Sequence, residues 1–207
     1  MAKIQAIRKT NDAENEPINI GDRAMDNLRF IRETMERSAV FTSVPGYGGA
    51  LMGATAVGAA IIAHNQPTIK NWLIVWLVEA ILAFSIGLFA LWQKSKNSGE
   101  SLASVPAKKF ALAFAPPMVA AIILTALFYY RGFVEFLPCI WLTLYGTAVV
   151  TGGAYSVRIV PIVGWIFVAF GAVAAFAPAN AGNLLMALGF GATQIVFGLI
   201  VARRYGG

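Results

Sequence analysis

One carboxylate, Glu79, lies deep in an apolar run, Trp76-Leu-Val-Glu79-Ala-Ile-Leu82. Counted from Trp72, it sits roughly 10 Å along a helix at 1.5 Å per residue. A charged side chain at the centre of a bilayer helix costs about 2.5–3.5 kcal/mol on insertion scales. Glu79 is therefore expected either to carry a proton or to face a bundle interior and meet a partner. Arg131 and Lys70 are the candidate partners within reach of that depth. The chemistry open to such a residue is a proton or cation site. The plainer alternative is a polar contact that holds two helices together. Gln194, with Thr193, is the polar pair of the last apolar run and completes the possible intramembrane polar site of Glu79, Gln194 and Arg131. Glu135 stands at i,i+4 from Arg131, a spacing suited to an interfacial ion pair.

Other chemistry is excluded by what the chain lacks. It has one cysteine, Cys139, and one histidine, His64, which falls outside the apolar runs. Bis-histidine haem, multi-histidine metal and Ser–His sites within the membrane all need more. The last aspartate is Asp26, so no pair of aspartates can work inside the membrane. No Walker A, GxGxxG or CxxC motif occurs. Enzymes acting on lipid or isoprenoid substrates usually need several acids or histidines at the cytoplasmic membrane surface, and the cytoplasmic loops offer only Glu100. The expectation is a protein with no catalytic residues, no metal and no cofactor.

Apolar residues make up 58% of the 207 and charged residues 13%, which excludes an ordinary soluble globule. Six apolar runs, 46–63, 72–92, 110–130, 133–155, 159–176 and 183–201, are each long enough to cross a ~30 Å hydrocarbon core once as a helix. They are continuously apolar, where a β-barrel needs alternation. The fold class is all-α: a polytopic membrane protein with six transmembrane helices and an N-terminal cytoplasmic amphipathic helix. The organisation is a cytoplasmic segment 1–45, with its helix about 22–38, and a six-helix domain 46–207. The mixed, charged N-terminus has no early apolar core, so no signal peptide is expected.

Orientation follows from the basic residues. Of the 16 Lys and Arg, only Lys70 and Arg131 fall in the loops opposite the termini. Both termini are expected in the cytoplasm, in a bacterial-type inner membrane. Loops 64–71, 131–132 and 177–182 then lie outside. Tyr47, Trp72, Trp92, Tyr129, Tyr130 and Tyr205 fall near run ends, as interfacial anchors do.

Glycines at Gly49, Gly53 and Gly58 in the first run and Gly191 in the last are candidate helix-packing positions, because small residues let backbones approach closely. Pro116-Pro117 removes two amide donors from the third run and predicts a kink whose freed carbonyls can line a polar cavity. Six spans with both ends on one side can also divide into two inverted three-helix halves, with Tyr-Gly-Gly-Ala at 47–50 and Thr-Gly-Gly-Ala-Tyr at 151–155 as a faint echo.

Ahead of the membrane, Ala24, Leu28, Ile31 and Met35 recur at helical spacing. Asp22 suits the helix start, Glu33–Arg37 is a favourable i,i+4 pair, and Val44-Pro45-Gly46 ends the helix. Residues 22–38 carry four acids and four bases, a balance ill suited to anionic lipid. Leu28, Ile31 and Met35 are thus the expected contact with protein: the chain's own bundle, a second copy or a cytoplasmic partner. No nucleic-acid partner is expected.

The stretch Ile31-Arg-Glu-Thr-Met-Glu-Arg-Ser-Ala-Val-Phe-Thr-Ser-Val-Pro-Gly-Tyr-Gly-Gly49 resembles the junction in a family of bacterial six-helix inner-membrane proteins without an assigned activity. The resemblance covers the N-terminal third. It implies a cytoplasmic partner, since members of that family are often paired with a winged-helix regulator, and it transfers no catalytic residue. Two functions follow as expectations: a non-enzymatic membrane protein acting by association, as accessory subunit, scaffold or signal-relay partner, or a small-solute or proton-coupled transporter using Glu79 and the kinked third span.

Overall fold

A chain crossing hydrocarbon must satisfy every backbone N–H and C=O within itself, which for continuously apolar runs means helix. The computed structural model describes residues 20–38, 41, 42, 44–98 and 102–205, and among them it is helical with no strand. Six helices are long and apolar enough to cross a membrane. The chain divides into two units, residues 1–39 and 40–207.

The first unit contributes α1 (Ile20–Ser38). Its apolar side chains Leu28, Ile31 and Met35 are exposed, at 62%, 52% and 69%. The Asp22 cap and the Glu33–Arg37 pair lie outside the described side chains, as does Tyr205.

The second unit holds the spans. α2 (Gly46–His64) follows Pro45, whose carbonyl accepts from the Gly49 amide. α3 runs Ile69–Ser98, past the apolar run at 72–92. Hydropathy marks the hydrocarbon crossing, whereas the backbone ladder continues past it, with Lys96 folded back over the Trp92 ring at 5.5 Å. α4 (Val105–Arg131) is capped by Ser104, whose hydroxyl accepts from the Ala107 amide, and it runs through Pro116 and Pro117 as a single helix. Gly132, at φ 78°, ends it in a left-handed turn, with the Phe133 amide reaching back to the Phe128 carbonyl.

The fourth span starts as a 3-10 turn, Val134–Phe136, and becomes α5 (Leu137–Gly153) with Pro138 in its first turn. α6 is Ile159–Phe176. The last span comprises α7 (Gly182–Met186), a wide π-helical stretch Ala187–Thr193, and α8 (Gln194–Tyr205). The wide turn shows in the Thr193 hydroxyl, which donates to the Leu188 carbonyl five residues back, at 3.0 Å.

The spans pack as two groups of three. α2 packs on α3 and α8, while α5 packs on α4 and α6; α7 and the π stretch touch both groups. The first span thus meets the second and sixth, as the fourth meets the fifth and third, which is the pattern of two repeated halves that exchange their third helices. The 47–50 and 151–155 echo does not follow this register: it falls at the start of one span and the end of the other. Leu142 and Phe167 fill the centre with Trp76, Met186 and the small face Ala59, Ala60 and Ala63.

Candidate functional site: polar contacts between the spans

Glu79 lies on the face of α3 that meets α2 and is 7% exposed. The Thr55 hydroxyl of α2 donates to its Oε1 at 2.8 Å and stands equally close, 2.8 Å, to the Met52 carbonyl. The partner is therefore Thr55 rather than Arg131 or Lys70. Thr55 is a residue whose role sequence reasoning missed, because nothing local marks it. Arg131 is exposed in the last turn of α4, and Gly132 ends that helix before Glu135, so the helical i,i+4 spacing of the two is lost.

Gln194 opens α8 and turns to α5, where its Nε2 donates to the Tyr145 hydroxyl at 2.7 Å. Around Tyr145 stand Phe167, Phe190 and Phe114, with ring centroids at 4.8, 5.2 and 6.2 Å. The amide of Gln194 is the polar end of an aromatic nest. Glu79, Gln194 and Arg131 each have separate surroundings, on α3, α8 and the end of α4, and no described contact joins them.

Asn183, which the apolar pattern did not single out, makes three hydrogen bonds to other helices. Its Oδ1 accepts from Trp72 Nε1 at 3.3 Å and Trp76 Nε1 at 3.1 Å. Its Nδ2 donates to the Ala60 carbonyl at 2.9 Å. One amide thereby ties α7 to α2 and α3. Trp72 stacks on Trp141, centroids 5.8 Å apart and planes at 2°. Trp141 Nε1 donates to Thr125 Oγ1 at 2.7 Å, and that hydroxyl donates to Ala121 of its own helix at 2.7 Å. Indoles at a membrane interface need such acceptors for their N–H.

One of the two prolines is accommodated the same way. Pro117 has no amide for the Ala113 carbonyl, and the Thr151 hydroxyl of α5 reaches that oxygen at 2.9 Å. Among the described residues, no buried side-chain nitrogen or oxygen lacks a hydrogen-bond partner.

The glycines set the close approaches. A Cβ on Gly53 would stand 2.6 Å from the Gly191 carbonyl, and one on Gly198 would stand 2.8 Å from that of Gly46. Gly49 meets Gly198 at ordinary contact, 3.5 Å, and Gly191 faces the Val57 side chain. Around Gly58 nothing lies within 4 Å. The pair Gly146 and Gly164, not anticipated from GxxxG spacing, sets the α5–α6 crossing, each Cβ position lying 2.7 Å from the other's carbonyl.

Phe41 and Val44, ahead of α2, are also seated. The Phe41 amide donates to the Tyr155 carbonyl at 2.8 Å, and the Ser156 hydroxyl donates to the Phe41 carbonyl at 2.7 Å. The Phe41 ring is 4% exposed and lies 5.4 Å from Phe110. Lys94 Nζ donates to the Val44 carbonyl at 2.9 Å.

Among the described residues, no group of three or more His, Cys, Asp and Glu could hold a metal ion. No family model, curated protein or solved structure matches the chain.

Proposed function

We propose that this is a non-enzymatic protein of a bacterial inner membrane, with both termini in the cytoplasm, that acts by associating with another protein. The observation that carries this reading is the face of α1: Leu28, Ile31 and Met35 are exposed on a helix of balanced charge. Burying three such side chains gains roughly 5–8 kcal/mol. A balanced helix gains little from anionic headgroups, so protein is the better cover. The hydrogen bonds inside the spans support the same reading, because Glu79, Gln194 and Asn183 each serve a helix–helix contact. The resemblance of residues 31–49 to a bacterial six-helix family adds to it.

The test is Leu28→Asp with Ile31→Asp in the full chain. Loss of a copurifying partner or of self-association, with membrane insertion unchanged, supports the reading. An unchanged oligomeric state with all partners retained, and α1 as protected from exchange as in the parent, rejects it. Orientation is tested by reporter fusions at position 98 and at the C-terminus; an external signal from either one defeats the proposed topology.

A second reading, a small-solute or proton-coupled transporter, draws on the three-plus-three packing of the spans, the arithmetic of inverted-repeat transporters. Proton flux into vesicles carrying the protein, lost in Glu79→Gln, would favour it; no flux in the parent would remove its proton-coupled form.

A further inference from the structure

We propose that Phe41 and Val44 form a latch that closes one end of the seam between the two three-helix groups, and that this end opens when the latch is released. The end in question carries Lys94, Lys96, Lys108, Lys109, Arg158, Arg203 and Arg204.

The latch is gripped from both sides. Toward the α4–α5–α6 group, Phe41 pairs with Ser156 as a parallel bridge, and its ring is sunk beside Phe110 of α4. Val44 packs on the cluster of Val149, Val157 and Val160 from α5, α6 and the turn between them. Toward the α2–α3–α8 group, the Val44 carbonyl is held by Lys94 of α3, and α2 begins at the next residue but one. A segment that merely connected α1 to the membrane would not need a buried phenyl ring outside any helix. Nor would it need a lysine reaching from another span to a loop carbonyl. Buried backbone groups need partners, and these partners come from opposite groups.

The grip is also separable from the fold. Its contacts named above, one aromatic seat, one valine and three hydrogen bonds, are none of them part of a span's own ladder. Local openings of such small contact sets occur well below the cost of global unfolding. The latch itself rests on contacts within the second unit and holds whatever α1 binds.

The experiment uses the full chain in lipid nanodiscs, with Cys139→Ala as background. Paired positions across a β-bridge lie near 5 Å, within reach of a disulfide. Phe41→Cys with Ser156→Cys should therefore cross-link under mild oxidation. Hydrogen exchange is then followed in residues 105–111 and 154–160. The expected result is slower exchange there when oxidised and faster when reduced. Ser156→Ala, which keeps the ring, should speed exchange of the Phe41 amide about fivefold with the spans unaffected. Failure of the cross-link to form, exchange in 105–111 and 154–160 that ignores the redox state, or a Phe41 amide that exchanges only with global unfolding in both proteins overturns the proposal.

Discussion

The Thr151 hydroxyl stands 2.9 Å from the Ala113 carbonyl oxygen, the acceptor that Pro117 leaves without an amide. Thr151 has a single proton and two further acceptors nearby, Thr147 at 2.9 Å and Ala148 at 3.2 Å. Ala113 is the oxygen with no amide from its own helix, so the proton lowers the energy most there. Thr151→Val should destabilise the bundle by about 0.6 kcal/mol, and at most about 1.7 kcal/mol, the measured span for such bonds in membranes. In a Pro117→Ala background the amide returns and the loss should vanish. Unfolding in detergent mixtures measures both; an equal loss in the two backgrounds refutes the pairing.

Glycine replacements should separate by location. Gly198→Ala drives a methyl into the backbone of α2, and overpacking of this kind costs about 1–3 kcal/mol. Gly58→Ala meets open space and should be neutral or stabilising by up to about 1 kcal/mol through helix propensity. Thermal stability of the two variants in detergent decides the matter, and a larger loss at Gly58 would overturn the α2–α8 packing described above.

Glu79→Gln keeps an oxygen for the Thr55 hydroxyl and should leave stability within about 0.5 kcal/mol of the parent, whereas Glu79→Leu and Thr55→Val should each lose about 0.6–1.7 kcal/mol. The two losses share one bond, so the double variant should fall short of their sum. Strict additivity would mean that the contact contributes nothing.

Asn183→Leu removes the acceptor for two indoles and the donor to Ala60 at once. We expect a loss of about 2 kcal/mol and faster exchange of the Trp72 and Trp76 indole protons. Asn183→Asp keeps the acceptor but sets a second oxygen against the Ala60 carbonyl, so it should protect the indoles better than Leu while still losing stability. Indole signals unchanged in both variants would contradict the hub.

The spans were legible because a ~30 Å apolar slab imposes a length and a composition that can be read directly from the chain. The drawn run 159–176 coincides with α6, and 46–63 falls one residue short of α2. The polar contacts were not legible, since each depends on a partner far away in sequence. In the sequence Asn183 is only the start of the last run; its partners Ala60, Trp72 and Trp76 come from the first two spans. Likewise Val44-Pro45-Gly46 reads as the stop of the N-terminal helix, but α1 ends earlier, at Ser38, Pro45 leads into α2, and Phe41 finds its seat at Tyr155 and Ser156. The proline pair marks a real backbone deficit, yet α4 runs through it as a single helix and α5 supplies a partner for the Ala113 carbonyl.

The wide stretch Ala187–Thr193 sets the rotational phase of the last span. In an unbroken α-helix, Asn183 and Gln194 would point within roughly 20° of one another. One π turn absorbs about one extra residue and so turns everything beyond it by roughly 100°. Asn183 can then address α2 and α3 while Gln194 addresses α5. A regular helix would aim both amides at the same neighbour and strand one of them. The bulge is the angular key that lets one span bond to both triplets, and winding the same residues as a regular α-helix would swing everything beyond them toward the wrong partners.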